Sequence, residues 1–417
     1  MTSLSPLLKQ ATPVVVDHAQ GSWIFGTDGR KYLDFTAGIG VTSTGHCHPR
    51  VVAAAQKQVG TIIHAQFTTV MHQPLLELTE KLGEVLPSRL DSVFYANSGA
   101  EAVEAALRLA RMATRRPNIV VFRGGFHGRT VATASMTTSG TKYRSGFAPL
   151  MAGVHVAPFP YALRYGWDED TTVDFALREL DYLLVTETSP AETAAFIIEP
   201  VLGEGGYIPV PPRFLQGLRE RADRHGILFI ADEIQSGVGR SGKFWAHQYA
   251  GISPDILIMA KGIASGFPIS AIAAPTELMQ KAWAGSQGGT YGGNAVAAAA
   301  AVATLDVIKD EGLVENARAR GEQLQAGLTQ LAAPHPEIID VRGIGLMQAL
   351  EFGTAGGEPD TATAVAVHHA AIDQDLLLLT CGPFGNVVRI IPPLIASSEE
   401  VDTALERFGR ALASVLS

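Results

Sequence analysis

Short runs of β-branched and other apolar residues recur through the middle of the chain, at 92–96, 119–122, 195–198, 227–231 and 256–259, separated by amphipathic stretches of helical period. Runs this short and this apolar suit strands buried on both faces, and their alternation with helices predicts a mostly parallel sheet with helices packed on either side. Several of the runs stop directly at polar or Gly-rich segments. In open α/β sheets ligands bind beyond the carboxyl ends of the strands, so the chemistry is expected there. From Glu311 to Pro336 a long charged helix leads into Pro- and Gly-containing turns, followed by the 338–350 stretch, a Gly-rich loop and a last helix from Glu399 onward. This part reads as a separate C-terminal α+β domain. The first forty or so residues, with a Gly-rich turn at Gly26 to Gly29, read as an arm and a short hairpin.

Composition narrows the function. A chain of 417 residues exceeds what one core usually serves, and 47% hydrophobic with 18% charged residues is ordinary globular composition. Lys+Arg 32 against Asp+Glu 41 leaves a net charge of -9, which offers no basic field to nucleic acid or an anionic membrane. Cys47 and Cys381 are too few for a disulfide framework. No signal peptide or anchor is readable from Met1 to Val16, and the Ala-rich run at 295–303 falls short of the roughly 20 residues a bilayer needs. The expected setting is the cytoplasm and small-molecule chemistry.

Three features carry that chemistry. The run 92–96 leads into Asn97-Ser98-Gly99-Ala100-Glu101 and then an apolar helical pattern, so Ser98 and Glu101 form a capping box. A helix starting directly off a strand aims unpaired N–H groups and its positive end at the strand terminus, which suits a phosphate. The same spacing also starts ordinary helices, and alone it leaves both readings open. The Gly-rich stretch Gly288 to Asn294 can bring Thr290 to an anion. Third, the run 227–231 ends in Asp232-Glu233 and the run 256–259 leads to Lys261. A lysine at an apolar strand end is the kind that forms Schiff bases, and an ion pair with Asp232 is the plain alternative. Phosphate site, amine and acid on one rim are what pyridoxal 5'-phosphate requires, the acid pairing the pyridine nitrogen.

Two patterns mislead. Gly237 to Gly242 spells GxGxxG, but it neither follows a strand at once nor opens a helix, so a dinucleotide site is set aside. His46-Cys47-His48 lacks the spacing of a tetrahedral metal set, and no metal is expected.

Ile230-Ala231-Asp232-Glu233-Ile234-Gln235-Ser236-Gly237, followed by Met259-Ala260-Lys261-Gly262-Ile263, resembles the class III, or omega, aminotransferases. The resemblance runs end to end, through Thr44-Gly45-His46, Asn97-Ser98-Gly99-Ala100-Glu101, Phe126-His127-Gly128-Arg129-Thr130, Ile198-Glu199-Pro200, Gly289-Thr290-Tyr291 and Gly385-Asn386-Val387-Val388-Arg389. It implies a fold type I α/β enzyme working as a homodimer with shared active sites. A mostly parallel seven-stranded sheet between helices is expected at 51–310, a small α+β domain at 311–417, and an arm and hairpin at 1–50 packing with the small domain.

By the same resemblance Lys261 is the Schiff-base lysine and proton shuttle, Asp232 pairs the ring nitrogen and Gln235 reaches the ring hydroxyl. Gly99 and Ala100 bind the phosphate beside Ser98, Thr290 reaches the phosphate of the other subunit's cofactor, Phe126 stacks on the ring and His127 lies beside it. Arg129 is implied to bind a carboxylate remote from the reacting amine, with Glu199 orienting it and Ile39 lining the donor pocket. Arg389 is implied to take the α-carboxylate of 2-oxoglutarate, and Glu204 to neutralise it when an ω-amino donor is bound. The activity so implied is transamination between an ω-amino acid, above all 4-aminobutyrate, and 2-oxoglutarate. Acetylornithine or ornithine aminotransferases, amino-acid racemases on the same scaffold and a non-catalytic binding protein of this fold are the rival readings.

Overall fold

Three short strands, β1 (Val16–Gln20), β2 (Trp23–Gly26) and β3 (Lys31–Asp34), form an antiparallel meander near the start of the chain. The structure is a computed structural model that describes residues 3–354 and 356–416; Met1, Thr2, Ala355 and Ser417 lie outside it. The main sheet follows, from β4 (Ser92–Ala96), β5 (Asn118–Phe122), β6 (Val154–Ala157) and β7 (Thr193–Ile198), then, past a small ribbon of β8 (Val201–Leu202) and β9 (Ile208–Pro209), β10 (Leu228–Asp232), β11 (Ile256–Met259) and β12 (Ser270–Ala274). Its seven strands stand in the order β4-β12-β11-β10-β7-β5-β6. Six run one way, while β12 lies antiparallel to both its neighbours.

Alternation along these strands explains the layering. On β5, Ile119 and Val121 pack into a cluster with Val103 and Ala106 of the helix Gly99–Thr114, whereas Val120 and Phe122 join Leu180 and Phe214 on the other face. With successive side chains pointing to opposite faces and both faces covered, β7, β11 and β12 are buried throughout. All five apolar runs of the sequence become strands of this sheet, and β6 and β12 are two that the runs did not mark.

The C-terminal part builds a second, antiparallel sheet from β13 (Ile338–Ile344), β14 (Met347–Phe352), β16 (Leu379–Cys381) and β17 (Val387–Ile390), with β15 (Leu376–Leu377) alongside β3. The hairpin also meets the last helix, Ser398–Val415: Ser22 Oγ and Trp23 Nε1 donate to the two Glu400 oxygens at 2.9 and 2.7 Å. The charged stretch forms the helix Leu313–Ala332, ending before Pro334 and Pro336. The Ala-rich run is the helix Ala295–Asp310, whose first turn is capped by Asn294 Oδ1. Among the described residues no helix is long and apolar enough to cross a membrane.

The helix Leu313–Ala332 crosses the β13–β14 turn at a glycine–glycine contact. A Cβ on Gly321 would stand 2.3 Å from the Gly345 carbonyl oxygen, which is backbone and cannot swing aside. Gly321→Ala is expected to destabilise the fold by about 1–3 kcal/mol, the usual cost of overpacking. Denaturant unfolding checks this; an unchanged midpoint would show that the helix shifts freely.

Candidate active site

The carboxyl ends of β4, β5, β7, β10 and β11 converge on a cavity of about 440 Å3. The helix Gly99–Thr114 begins where β4 ends, and both halves of the predicted capping box are present: Ser98 Oγ accepts from Glu101 N at 3.3 Å, while Glu101 Oε2 accepts from Asn97 N and Ser98 N at 2.8 Å each. The cap thus serves those three amides and leaves the N–H groups of Gly99 and Ala100 facing the cavity, beside the positive end of the helix. Gly99 itself is confined, since a Cβ there would approach Ile234 Cδ1 to 3.0 Å.

Opposite this cradle, β10 delivers Asp232 as its last residue, buried and hydrogen-bonded to His127 Nδ1 at 2.8 Å through Oδ2. Its Oδ1 accepts from Ile234 N at 3.2 Å. Burial alone would lower the His127 pKa, but the Asp232 carboxylate outweighs it and holds the imidazole above its ordinary value. Lys261 follows β11 in a left-handed conformation, with φ of 44°. Its ammonium is driven down by burial, against the pull of Glu204 and with a further push from Arg389. Asp232 and Lys261 both line the cavity, as do Phe126, Glu199, Glu204 and Gln235. Gln235 Oε1 is buried without a partner among the described residues.

Two charged groups extend the site. Arg389, on β17, forms a buried ion pair with Glu204 through Nη1. The Glu204 carboxyl, which burial would raise, is held below its usual range by that guanidinium. Arg129 is exposed at the cavity mouth, its guanidinium 4.9 Å from the centre of the Tyr143 ring.

Two expectations need correction. Glu199 does not orient Arg129: its oxygens accept from Phe126 N at 2.7 Å and Gly203 N at 3.0 Å, and no ion pair joins the two side chains among the described residues. A buried carboxylate takes the nearest fixed donors, and here these are backbone amides. Ile39 is 46% exposed, on a turn outside the cavity, where Val41 is the lining residue instead. Thr290, whose expected contact is with the other subunit's cofactor, is exposed and lies outside this chain's own cavity.

Tyr143 was missed altogether. Its hydroxyl donates to Glu204 Oε2 at 3.1 Å, its ring lies under Arg129, and its edge meets Phe126 with 5.0 Å between centroids. It sits in a short turn between Gly140 and Gly146 with no periodic pattern around it, and an aromatic hydroxyl in such a loop is the only local cue. Tyr207 was missed likewise; its buried ring centre is 5.8 Å from the Arg389 guanidinium.

Two free amides at a helix start, an amine, an acid and an orphaned amide oxygen around one cavity fit pyridoxal phosphate, which needs an anion cradle, a Lys, a partner for the ring nitrogen and a partner for the ring hydroxyl. The class-III aminotransferase family matches residues 7–412. Among curated relatives, the 5-aminovalerate aminotransferase of Pseudomonas putida is 40% identical over 95% of this chain and 92% of its own length. The 4-aminobutyrate aminotransferase of Escherichia coli is 38% identical over 95% and 93%. An amine transaminase from an uncultivated Pseudomonas species, solved in its PLP-bound form, superposes with a TM-score of 0.92 at 29% identity, covering 100% of this chain and 99% of that one. The chain therefore belongs to the class III aminotransferases, pyridoxal-phosphate enzymes of fold type I.

Proposed function

We propose that this aminotransferase moves the amino group of an ω-amino acid of the 4-aminobutyrate kind to 2-oxoglutarate, releasing a semialdehyde and glutamate. The observation that carries this reading is the buried Arg389–Glu204 pair at the cavity, with Tyr143 holding the second Glu204 oxygen. A buried guanidinium without a carboxylate is costly, so Glu204 covers Arg389 while the donor, which has no α-carboxylate, occupies the site. When Glu204 turns aside, the planar guanidinium offers two parallel N–H groups to the α-carboxylate of 2-oxoglutarate. Its Nε is buried without a partner, which leaves it available for that second contact. Arg129, at the mouth and free of an acidic partner among the described residues, is placed to bind the far carboxylate of either substrate. The two relatives named for ω-amino acids agree with this reading.

Pyridoxal phosphate supplies an aldehyde carbon for the amino group and a protonated ring that withdraws electrons from the carbon losing its proton. Gly99 and Ala100 amides, with the Ser98 cap behind them, would hold its phosphate, and Asp232, fixed by His127, would keep the ring nitrogen protonated. Gln235 would meet the ring hydroxyl, and Phe126 would cover one ring face. Lys261, with its amine made less basic by burial, takes the proton from the substrate carbon and returns it on the other side of the transfer.

The reading includes a homodimer. Thr290 lies outside its own cavity, and the neighbouring segments expose Ile63 and Met71 beside Trp283 and Tyr291, at 61%, 54%, 71% and 64%. Asn294 ties the two segments by donating to Ile63 O at 3.0 Å. An exposed apolar surface of this kind is covered by association, which would bring Thr290 to the other subunit's cofactor phosphate. A reducing, cytoplasmic setting suits Cys47 and Cys381, both free.

Glu199 presents a distinct property. Burial pushes its carboxyl up to about 7, and the nearby Asp232 charge adds to the rise against His127. Between the ordinary glutamate range and about 7 the unfolded chain has lost a proton that the folded chain keeps, so this residue's contribution to stability falls as pH rises through that window.

Three outcomes are expected. Lys261→Ala loses glutamate formation by about 10²–10⁴-fold or more while keeping the native circular dichroism spectrum; retained turnover refutes its role. Arg389→Ala slows the 2-oxoglutarate half-reaction by roughly 10- to 100-fold beyond any effect on the 4-aminobutyrate half-reaction, as loss of a charge-assisted contact implies, and equal losses in single-turnover measurements would reject the dual-substrate scheme. Thermal midpoints of wild type relative to Glu199→Gln decline as pH is raised from about 4.5 to 7; a constant difference would mean that Glu199 is ionised throughout.

A further inference from the structure

A second cavity, of about 740 Å3, lies behind the wall of the active-site cavity. Its inner surface is apolar, from Leu202, Ile208 and Phe159, and Tyr161, Tyr165 and Phe384 add flat aromatic surface. Arg123, Arg144 and Arg164 also line it. They come from three separate segments: Arg123 directly follows β5, Arg144 follows the turn Thr141–Tyr143, and Arg164 belongs to the single helical turn Ala162–Tyr165. Among the described residues none of these guanidiniums meets a carboxylate within ion-pair distance.

Among the described residues the one carboxylate in the lining, Glu351, is already engaged. Its Oε2 lies 2.7 Å from Arg342 Nη1 and accepts the Tyr161 hydroxyl, while Oε1 takes the Asn386 amide at 3.2 Å. In a chain of net charge -9, three cations therefore surround one apolar hollow with no acid left to oppose them. Such a hollow complements a molecule that is anionic at one end and flat and apolar at the other, since guanidiniums bind carboxylate, sulfonate or phosphate oxygens in pairs and aromatic walls stack on planar groups.

The cavity also touches the two loops that recognise substrate on their other side. Gly124 and Gly205 line it, and they pack so closely that a Cβ on Gly205 would stand 2.4 Å from the Gly124 carbonyl oxygen. Within two residues of them in sequence, Phe126 and Glu204 line the active-site cavity. Glu199 ties the same two loops together through Phe126 N and Gly203 N.

We propose that this cavity is a second ligand site, separate from the active site, for a small organic anion with a planar apolar body. The holoenzyme titrated with 8-anilinonaphthalene-1-sulfonate is expected to show saturable fluorescence enhancement that saturating 4-aminobutyrate does not reverse. The neutral analogue N-phenyl-1-naphthylamine binds at least about tenfold more weakly, and Arg123→Ala/Arg164→Ala weakens the sulfonate by about tenfold or more, the loss that charge-assisted contacts imply. Arg123→Lys/Arg164→Lys, which keeps the charge, retains affinity within a few-fold of wild type, and both double variants keep wild-type transamination rates. Absence of saturable binding, equal affinity for the neutral dye, undiminished binding in the alanine variant or displacement by 4-aminobutyrate would each overturn the assignment.

Discussion

A charge removed from water must be met by fixed partners or it shifts toward neutrality, and the carboxyl edge of the main sheet is organised by that requirement. Asp232 is met by His127 and Glu204 by Arg389 and Tyr143, whereas Glu199, met only by two backbone amides, is pushed up to about 7. Lys261 has no hydrogen-bond partner there among the described residues, and burial makes its amine less basic. An amine in that condition is the one poised for covalent and proton-transfer chemistry, whereas the paired groups around it are held in orientation.

The parallel strands supply the geometry for this. Because β4, β5, β7, β10 and β11 all point the same way, residues at their ends lie within one cavity although they are spread from Asn97 to Lys261 along the chain. The antiparallel β12 fills the gap between β4 and β11 and keeps the two ends at one edge. Arg389 reaches the same place from the second sheet, so its pairing with Glu204 depends on how the C-terminal elements dock. That docking includes close glycine contacts and the hairpin's hydrogen bonds to Glu400, which carry no chemistry of their own.

Legibility in the sequence varied with how local the cause was. The five apolar runs mark strands because burial on both faces demands apolar residues at every position. β6 is harder to see, since His155 interrupts Val-His-Val-Ala, and β12 reads Ser-Ala-Ile-Ala-Ala, in which alanine has little strand preference and only tertiary burial decides. The capping box was legible because both partners lie within four residues. The Glu199 contacts were not, because the choice between Arg129 and the amides of Phe126 and Gly203 depends on loop paths. Ile39, taken from family pattern, faces solvent in the single chain, and Tyr143 joins the site from a loop without any periodic signal.

From its residues alone this chain determined a mostly parallel sheet, a capped helix start directly off a strand, and an acid and a lysine at successive strand ends, because periodicity, caps and strand termini are set by neighbours within a few positions. Only the tertiary structure decided which charges are paired, that Tyr143 binds Glu204, that Glu199 clamps two loops, and that three arginines from distant segments surround an apolar hollow. Those outcomes depend on distances between residues tens to hundreds of positions apart, and such distances are a property of the packed chain.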